Sequence, residues 1–382
     1  MLICPTMNAP DYSRLNETIF RHSSIRELTV LLVGAGALGN EVAKLLGLLG
    51  VGRLAVVDPD QIQASDLTRS ILFRGSNVIG QNKALAAAGI INELFPDTEC
   101  IGLSQEIADV GFQDVAKCRT IFSCVDSDLA RLEIAYVATR LDIPVSDGGL
   151  GGSDYWRGRA TYFPGRKSAC YGCLLSDQRR RELLTLGDSS VRSCWRESGG
   201  ARGQPIPSTP TMASIIAALQ VEIGLRKLLE PAKTGSGTTS VELSLSPLPE
   251  LESLEALPSK TCPFHRENAS LVFAPCPSLE ATVADLFDSV SSRTSQATAL
   301  LLDWPLCTRA RCTQCGFKWS PMRRLAFLRR SGTCPQCASR GIVEEEIIRS
   351  IERKSTWLGY TMEQLGQPEN HLYSVLLGGN EC

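Results

Sequence analysis

The stretch from Leu28 to Asp60 places the strongest limit on how this chain can fold. It begins with an apolar run over 28–33, which is typical of a strand buried on both faces. A glycine-rich turn follows, then a helix predicted over 40–49 and a second strand predicted over 53–57. This order of elements predicts one strand–helix–strand unit of a parallel α/β sheet.

The turn and the end of the second strand carry the residue types of a nucleotide site. Gly34 and Gly36 allow a tight turn and a close approach of the backbone to phosphate, and Gly39 completes the spacing. The N-terminus of the following helix offers N–H groups and a partial positive charge. Asp58 comes about 20 positions later, where an acidic residue accepts hydrogen bonds from ribose hydroxyls. We predict a nucleotide-binding unit; the alternative is a glycine-rich turn of an ordinary α/β sheet.

Composition narrows the class of protein. With 382 residues, of which 43% are apolar and 21% charged, the chain has room for two or three globular domains. Its formal charge of −2 argues against a general attraction to nucleic acid or to an anionic membrane. No apolar run is long enough to span a bilayer. We therefore expect neither a membrane nor a nucleic-acid partner.

The cysteine count indicates the redox environment. Fifteen cysteines are present, and several form C-x-x-C pairs. An odd number with this spacing favours reduced thiols and metal sites over a secreted disulfide framework. The segment 1–21 is mixed and polar, with no basic stretch followed by an apolar one. These features predict a cytoplasmic location.

Strands and helices continue to alternate after the first unit. Helices are predicted over 83–95 and 129–141, and strands over 118–125 and 143–146, with a loop over 148–152. This alternation predicts a mostly parallel sheet with right-handed crossovers, a Rossmann-like α/β fold.

The amino-acid composition changes twice further along the chain. The stretch 174–210 is polar, basic and rich in Gly and Pro, which predicts a long crossover loop before a helix over 213–229. Beyond Arg266 a different composition begins. We predict two domains, 1–275 and 276–382, with a zinc ribbon inside the second.

Four charged residues point to phosphate chemistry rather than to hydride transfer. They are Asp58, Arg69, Lys83 and Asp126. Activation of a carboxylate by ATP needs cations to hold the triphosphate and a carboxylate to hold Mg²⁺. Hydride transfer to NAD would leave Arg69, Lys83 and Asp126 without a role. Taken singly, Arg69 or Lys83 is more often a solvated surface charge.

Five separate blocks of the sequence resemble the ubiquitin-activating and ThiF-type adenylyltransferase superfamily, in the family's order and roughly its spacing. The blocks are GAGALG over 34–39, VDPD over 57–60, SDLTRSILF over 65–73, IGQNKA over 79–84 and DSDLAR over 126–131. The resemblance covers about 11–265. It implies ATP- and Mg²⁺-dependent adenylation of the C-terminal glycine of a ubiquitin-like (β-grasp) or sulfur-carrier protein, with release of pyrophosphate.

The resemblance also implies roles for single residues. Gly36 would approach the phosphates, Asp58 the ribose, and Asp126 the Mg²⁺, while Arg69 and Lys83 would contact the phosphates. The block around Arg69 departs from the family's Asn-Leu-Asn-Arg-Gln, since Asp66 brings an acid beside the triphosphate. Unless Asp66 also faces Mg²⁺, its charge is unexpected there.

Arg14 and Cys194 are the other two residues that the resemblance singles out. Arg14 matches a family arginine that reaches across a dimer into the partner's ATP site, so a homodimer is implied. Thioester-forming members place a cysteine in the crossover loop, and Cys194 fits that position. Two flanking arginines favour its thiolate. The alternative is an incidental surface cysteine.

The first C-x-x-C pair predicts half of a zinc site. Cys170 and Cys173 have the spacing of two ligands, with two buried inert cysteines as the alternative. The resemblance implies a second pair after the crossover helix, and here that position holds Cys262 and His265. A Cys₃His set is an acceptable structural zinc site.

A second zinc site is predicted in the C-terminal domain from the residues alone. Two C-x-x-C pairs flank a basic hairpin-like segment, as in zinc ribbons, with Cys307 as a rival ligand. The predicted ligands are Cys312, Cys315, Cys334 and Cys337. A closed Cys₄ site predicts a structural role.

Together these features predict a compact, bacterial-type activating enzyme for a ubiquitin-like protein, using ATP, Mg²⁺ and Zn²⁺. Cys194 would take the acyl group from AMP as a thioester and pass it to a conjugating-enzyme-like acceptor. One alternative is a sulfur-carrier-protein adenylyltransferase without thioester transfer. Another is a non-catalytic binding protein on the same fold, which Asp66 and Ser70 favour.

Overall fold

The chain forms two β-sheets with helices packed against them. A computed structural model describes the following residues of the chain: 10–75, 77–151, 154–186, 208–234, 237–265, 271–275, 278–291 and 296–377. The first sheet has eight strands and the second has six. Among the described residues, no helix combines the length and the apolar character needed to cross a bilayer.

The first sheet is built from the N-terminal two thirds of the chain. Its strands are β1 (Thr29–Val33), β2 (Arg53–Val57), β3 (Glu99–Leu103), β4 (Thr120–Ser123), β5 (Val145–Leu150), β6 (Arg157–Phe163), β7 (Thr238–Ser244) and β8 (Glu250–Ala256). Their order is β3-β2-β1-β4-β5-β6-β7-β8. Strands β3 to β5 run parallel and β6 to β8 continue antiparallel. The predicted α/β fold with a mostly parallel sheet is confirmed.

Helices cover both faces of this sheet. They are α1 (Ser13–Asn16), α2 (His22–Arg26), α3 (Ala37–Leu48), α4 (Lys83–Leu94), α5 (Phe112–Val115), α6 (Asp128–Leu141), α7 (Tyr171–Leu174), α8 (Asp177–Leu186), α9 (Pro210–Leu229) and α10 (Pro231–Thr234). Val30 and Leu32 pack into the core beneath α3, α4 and α9, whereas Leu31 and Val33 pack beneath α5 and α6. Burial on both faces explains why β1 is continuously apolar.

Three local predictions differ from the structure. The first helix begins at Ala37 rather than at residue 40, so Gly36 becomes its N-cap. Gly148 and Gly149, predicted in a loop, lie in β5 and pair with β6. A Cβ on Gly148 would lie 2.3 Å from Oε1 of Gln220, so this glycine lets α9 approach the strand. The predicted crossover loop opens with α8, a ten-residue helix.

The second sheet forms a C-terminal module. Its elements are β9 (Leu271–Pro275), α11 (Val283–Ser291), β10 (Ala297–Cys312), β11 (Lys318–Trp319), β12 (Arg323–Arg324), α12 (Leu325–Ser331), β13 (Ile342–Glu352) and β14 (Leu372–Leu377). The long strand β10 pairs with β11, β12, β13 and β14, and β9 pairs with β14. The predicted boundary at 275/276 therefore places β9 on the other side from its partner strand.

The C-terminal module packs along α6 through buried polar contacts. Asp303 accepts a hydrogen bond from the hydroxyl of Tyr136, and its Oδ1 lies 3.5 Å from Nη1 of Arg140. Nε2 of His371 lies 2.6 Å from Oδ2 of the same carboxylate. Arg140 also donates to Ser374. Because α6 begins beside Asp126, one helix joins the module to the predicted nucleotide site.

Candidate active site

A cleft of about 520 Å³ opens at the carboxyl ends of β1, β2 and β4. This is the position at which parallel α/β sheets bind nucleotides. The predicted site residues that line the cleft are Gly34, Gly36, Asp58, Arg69, Lys83 and Asp126. Residues separated by up to 92 positions in the sequence are thus brought to one place.

Three glycines shape the wall between β1 and α3, each for a different reason. Gly34 has a φ of +93°, and a Cβ there would lie 2.6 Å from the carbonyl oxygen of Cys124. A Cβ on Gly39 would lie 1.9 Å from the carbonyl oxygen of Gly34. Gly36 has no atom within 4 Å of such a Cβ. Protein packing therefore requires the first two glycines, while Gly36 leaves its backbone open to a ligand in the cleft.

Asp58 ties the glycine-rich turn to the end of β2. Its Oδ2 accepts a 2.7 Å hydrogen bond from the N–H of Ala35, and its Oδ1 accepts one of 2.8 Å from Asp60. Burial raises the pKa of Asp58, although these N–H groups and Lys83 oppose the shift. The carboxylate is fixed where ribose hydroxyls would reach its remaining lone pairs.

Arg69 and Lys83 both face the cleft beside Asp66, and Nζ of Lys83 also lies 3.6 Å from Oδ2 of Asp60. Nη2 of Arg69 lies 3.1 Å from Oδ1 of Asp66, and Nζ of Lys83 lies 3.7 Å from Oδ2. Nη1 of Arg69 also donates to the hydroxyl of Ser208 at 2.9 Å. Burial raises the pKa of Asp66, but the N–H of Gln63 and the two cations outweigh it, so its pKa lies below the usual value. Asp66 is therefore an anion that orients both cations.

Asp126 lies at the mouth of the cleft, exposed, just before α6. The hydroxyl of Ser127 caps this helix by accepting from the N–H of Ala130 at 3.1 Å. Behind them, Nε of Arg131 bonds Oδ1 of Asp147 at 3.1 Å, and its Nη2 donates to the carbonyl of Val125. This buried ion pair fixes the loop that carries Asp126. A carboxylate in this position is a suitable ligand for Mg²⁺.

Some lining residues were not among the predicted site residues. Asp60, Asp66, Glu106, Arg131 and Glu133 all line the cleft. Asp60, Asp66 and Arg131 lie inside the motif blocks and could have been found there. Glu106 follows β3, and Glu133 lies in the middle of α6, so neither has a local sequence signal. Their position depends on the tertiary fold.

Three residues predicted for the nucleotide site or for catalysis are not placed at this cleft. Gly39 does not line it and instead packs against the carbonyl of Gly34. Arg14 lies exposed on α1 and does not line it. Cys194 lies outside the described residues. Of the cysteines that the structure describes, Cys124 alone lines the cleft, and burial raises its pKa well above the usual value. Its thiol is therefore an inert wall group rather than a nucleophile.

A second cleft of about 410 Å³ adjoins the first. Arg131 and Leu150 line both clefts, while Arg157 and Arg159 line only the second. Arg159 is held by Asp147, whose Oδ2 lies 3.5 Å from Nη2. A groove lined by three arginines and four acids thus leads towards the nucleotide cleft.

The first predicted metal set comes together below α6, and we refer to it as the inner cluster. It consists of Cys170, Cys173, Cys262 and His265, with ligand atoms within 4.8 Å of one another. Sγ of Cys170 lies 3.8 Å from Sγ of both other cysteines and 3.3 Å from Nε2 of the histidine. Tetrahedral zinc thiolates place sulfur atoms about 3.8 Å apart. Nδ1 of His265 contacts the carbonyl of Arg166 at 2.7 Å, which leaves Nε2 for a metal.

The second predicted set lies in the C-terminal module and is called the ribbon cluster. It consists of Cys312, Cys315, Cys334 and Cys337, again within 4.8 Å of one another. Sγ–Sγ distances of 3.6 Å are too long for disulfides and fit zinc. Cys307 is fully buried, lies outside this set and donates to the carbonyl of Arg309. The donors of both clusters suit Zn²⁺ without an open position.

Comparison with known proteins agrees with this geometry. The chain is 28% identical over 187 residues to the sulfur carrier protein ThiS adenylyltransferase of Escherichia coli (strain K12), covering 46% of this chain and 72% of that protein. It is 28% identical over 223 residues to ubiquitin-like modifier-activating enzyme 5 of Bombyx mori, covering 55% of this chain and 53% of that enzyme. The chain thus spans about half the length of the second relative.

The fold also matches a solved structure. A crystal structure of E. coli MccB with ATP superposes with a TM-score of 0.50 at 18% identity, covering 69% of this chain and 75% of that one. The family model described as ThiF family matches residues 16–263. Because this match extends over well more than half of the sequence, the chain belongs to the ThiF family.

Proposed function

We propose that this protein uses ATP to adenylate the C-terminal glycine of a ubiquitin-like or sulfur-carrier protein. The observation that carries the proposal is the convergence of Arg69, Lys83 and the open backbone at Gly36 on one cleft of a ThiF-family fold. Two cations and a helix N-terminus at one end of a parallel sheet suit a triphosphate. The names of the relatives supply the class of reaction.

In this reaction a carboxylate oxygen of the substrate glycine attacks the α-phosphorus of ATP. A P–O bond to the β-phosphate breaks, pyrophosphate leaves, and the glycine becomes an acyl adenylate. Arg69 and Lys83 would stabilise the charge that develops on the phosphate oxygens. Asp126 would hold Mg²⁺, which neutralises phosphate charge when bound. Asp58 would orient the ribose.

Asp66, the acid that departs from the family motif, has a structural role beside the two cations. Its carboxylate holds Arg69 and Lys83 in the cleft by ion pairs of 3.1 and 3.7 Å. An arriving triphosphate would compete with Asp66 for these cations, so their side chains need little reorientation to bind it. Asp66 thus supports a working phosphate site as well as it supports a non-catalytic one.

The substrate tail would reach the nucleotide through the second cleft. This route is supported by Arg131 and Leu150, which line both clefts, and by the arginines at 157 and 159. The arginines would pair with the carboxylate of the tail, although the acids Asp128, Glu242, Glu250 and Glu252 line the same groove. The two cysteine clusters would each bind a structural Zn²⁺.

The later steps follow from the family resemblance. Cys194 would attack the acyl adenylate, form a thioester and release AMP, and a conjugating-enzyme-like acceptor would then take the acyl group. Arg14 would complete the ATP site of a partner subunit in a cytoplasmic homodimer, which its exposed position on α1 permits. The alternative, favoured by the relative named ThiS adenylyltransferase, ends at the acyl adenylate and hands it to a sulfur donor.

ATP–pyrophosphate exchange tests the first step. Small β-grasp proteins ending in glycine would be incubated with the protein, ATP and Mg²⁺. Lys83→Ala should lower the exchange rate by about 100-fold or more, because it removes a cation from the phosphate site. Lys117→Ala is the matched control. The side chain of Lys117 is 70% exposed and lies outside the cleft, with its Nζ 2.6 Å from Oδ1 of Asp114. No exchange with any candidate would favour the non-catalytic alternative.

Gels with and without reductant test the second step. A reductant-sensitive adduct that is lost in Cys194→Ala, with exchange retained, would support the thioester. Exchange without any adduct, together with a thiocarboxylate product, would favour the sulfur-carrier alternative.

A further inference from the structure

Arg324 is a buried cation of the C-terminal module that contacts the domain built on the eight-stranded sheet. Only 8% of its side chain is exposed. It lies on β12 at the start of α12, between the two cysteine pairs of the ribbon cluster. Leu325 and Leu328 of the adjoining helix pack against β10. This packing fixes the backbone at Arg324.

Three carboxylates of the first domain surround this guanidinium. Nε and Nη2 contact the two oxygens of Asp109 at 2.9 Å each, which is a bidentate pair. Nη2 also donates to Glu106 at 2.7 Å, and Nη1 donates to Glu133 at 3.3 Å. Such fork-shaped contacts are the strongest that an arginine forms with carboxylates.

Two of these three carboxylates belong to the wall of the nucleotide cleft. Glu106 and Glu133 line it, next to the segment that follows β3. Burial raises the pKa of Glu133 to about 7, although Arg324 opposes the shift. The cation from the module therefore favours the ionised form of Glu133 and offsets the negative charge of this wall.

The whole cleft is acidic for a site that takes a triphosphate. The cationic residues that line it are Arg69, Lys83 and Arg131, and the acidic ones are Asp58, Asp60, Asp66, Glu106, Asp126 and Glu133. Acids thus outnumber cations two to one. MgATP is a dianion, so positive charge close by favours its binding, and Arg324 supplies such charge from directly behind two of the acids.

We propose that Arg324 is a positioning residue through which the C-terminal module sets the charge of the nucleotide cleft and thereby the affinity for ATP. The inference rests on the proposed function, since it assumes that the cleft binds ATP. In this arrangement the module lies behind one wall of the cleft and supports it through Arg324. Arg324 acts through Glu106 and Glu133, not by contact with the nucleotide.

An electrostatic role and a purely structural role predict different ligand dependence. Loss of charge compensation should weaken ATP, which is highly charged, and spare adenosine, which is neutral. Loss of shape should weaken both ligands alike. The comparison of these two ligands therefore isolates the charge effect.

The test is isothermal titration of the full-length protein with MgATP and, separately, with adenosine. In Arg324→Met, which keeps the length of the side chain, the Kd for ATP should rise by about tenfold while the Kd for adenosine changes less than about twofold. The double variant Arg324→Met/Glu133→Gln should recover part of the ATP affinity. Arg323→Ala is the matched control, because Arg323 is the exposed neighbour on the same strand.

Glu133→Gln alone keeps the test decisive if Arg324→Met fails to fold. At pH 8, where Glu133 with a pKa of about 7 is ionised, this substitution removes one negative charge from the wall and should lower the Kd for ATP several-fold with adenosine unchanged. Equal losses for both ligands, or ATP affinity that is unchanged in a folded Arg324→Met and in Glu133→Gln, would overturn the inference. Wild-type protein that binds neither ligand would instead reject the proposed nucleotide site itself.

Discussion

The two cysteine clusters hold similar donor atoms but join very different lengths of chain. In the inner cluster, Cys170 and Cys262 are 92 residues apart. In the ribbon cluster, Cys312 and Cys337 are 25 residues apart. A bound metal would therefore close a long segment in one place and a short one in the other. The entropy lost by the unfolded chain on closure grows with that length.

The surroundings of the two clusters differ as well. Cys170 and Cys262 belong to the hydrophobic core on one face of the large sheet, with exposures of 4% and 1%. Cys315 and Cys337 of the ribbon cluster are exposed, and the core beside this cluster is small. The inner cluster thus lies in the core of the large sheet, whereas the ribbon cluster lies beside a small separate core. We therefore expect loss of the inner cluster to destabilise the whole large-sheet domain and loss of the ribbon cluster to destabilise only a local segment.

The largest effect is expected from Cys262→Ser. The variant should bind one zinc per chain instead of two, and its Tm should fall by roughly 10 °C or more, because ligand loss leaves buried thiolates without a metal. Metal analysis and thermal unfolding measure both quantities. Cys118→Ser is the control, since Cys118 is 8% exposed in the same core but lies outside the cluster. Two zinc ions in Cys262→Ser would contradict the assignment.

A smaller and more local effect is expected from Cys334→Ser. Zinc should again fall to one per chain, but the Tm should change by only about 5 °C or less, because the ribbon can unfold without the large sheet. Hydrogen exchange should accelerate over 312–341 and not in β1. Cys307→Ser serves as control and also tests the rival ligand, since it should keep both zinc ions. A loss of zinc in Cys307→Ser would instead identify Cys307 as a zinc ligand.

The two clusters differ in how many of their ligands local sequence spacing can predict. Each C-x-x-C pair is a local signal, and the ribbon cluster needs only two neighbouring pairs, so its ligands follow from spacing. The inner cluster needs a partner pair on the far side of α9, which local spacing cannot choose. The family resemblance supplied Cys262 and His265.

The same distinction holds for the cleft and for the fold. Gly34, Gly36 and Asp58 belong to one strand–helix–strand unit, so their position at one cleft could be predicted from the sequence. The contact between Glu133 and Arg324 spans 191 positions, and neither residue lies in a recognisable pattern. The prediction of a loop at Gly148 is wrong, because a glycine in a strand has the same local signal as a glycine in a loop. Gly148 is a strand residue that admits α9, and only the packing of the helix reveals this.

The smallest effect is expected from His265→Cys, which would convert the inner cluster to four cysteines. Zinc should stay at two per chain, because a thiolate replaces an imidazole in a tetrahedral site. The Tm should fall by only about 1–3 °C, since the contact from Nδ1 to the carbonyl of Arg166 is lost and the turn over 263–265 must move closer to the metal. Metal analysis and thermal unfolding would be compared with those of His265→Ala, which should bind zinc more weakly. If His265→Cys instead lost one zinc, the greater length of the imidazole side chain would be essential for metal binding. The inner cluster would then differ from the ribbon cluster in ligand geometry as well as in loop length.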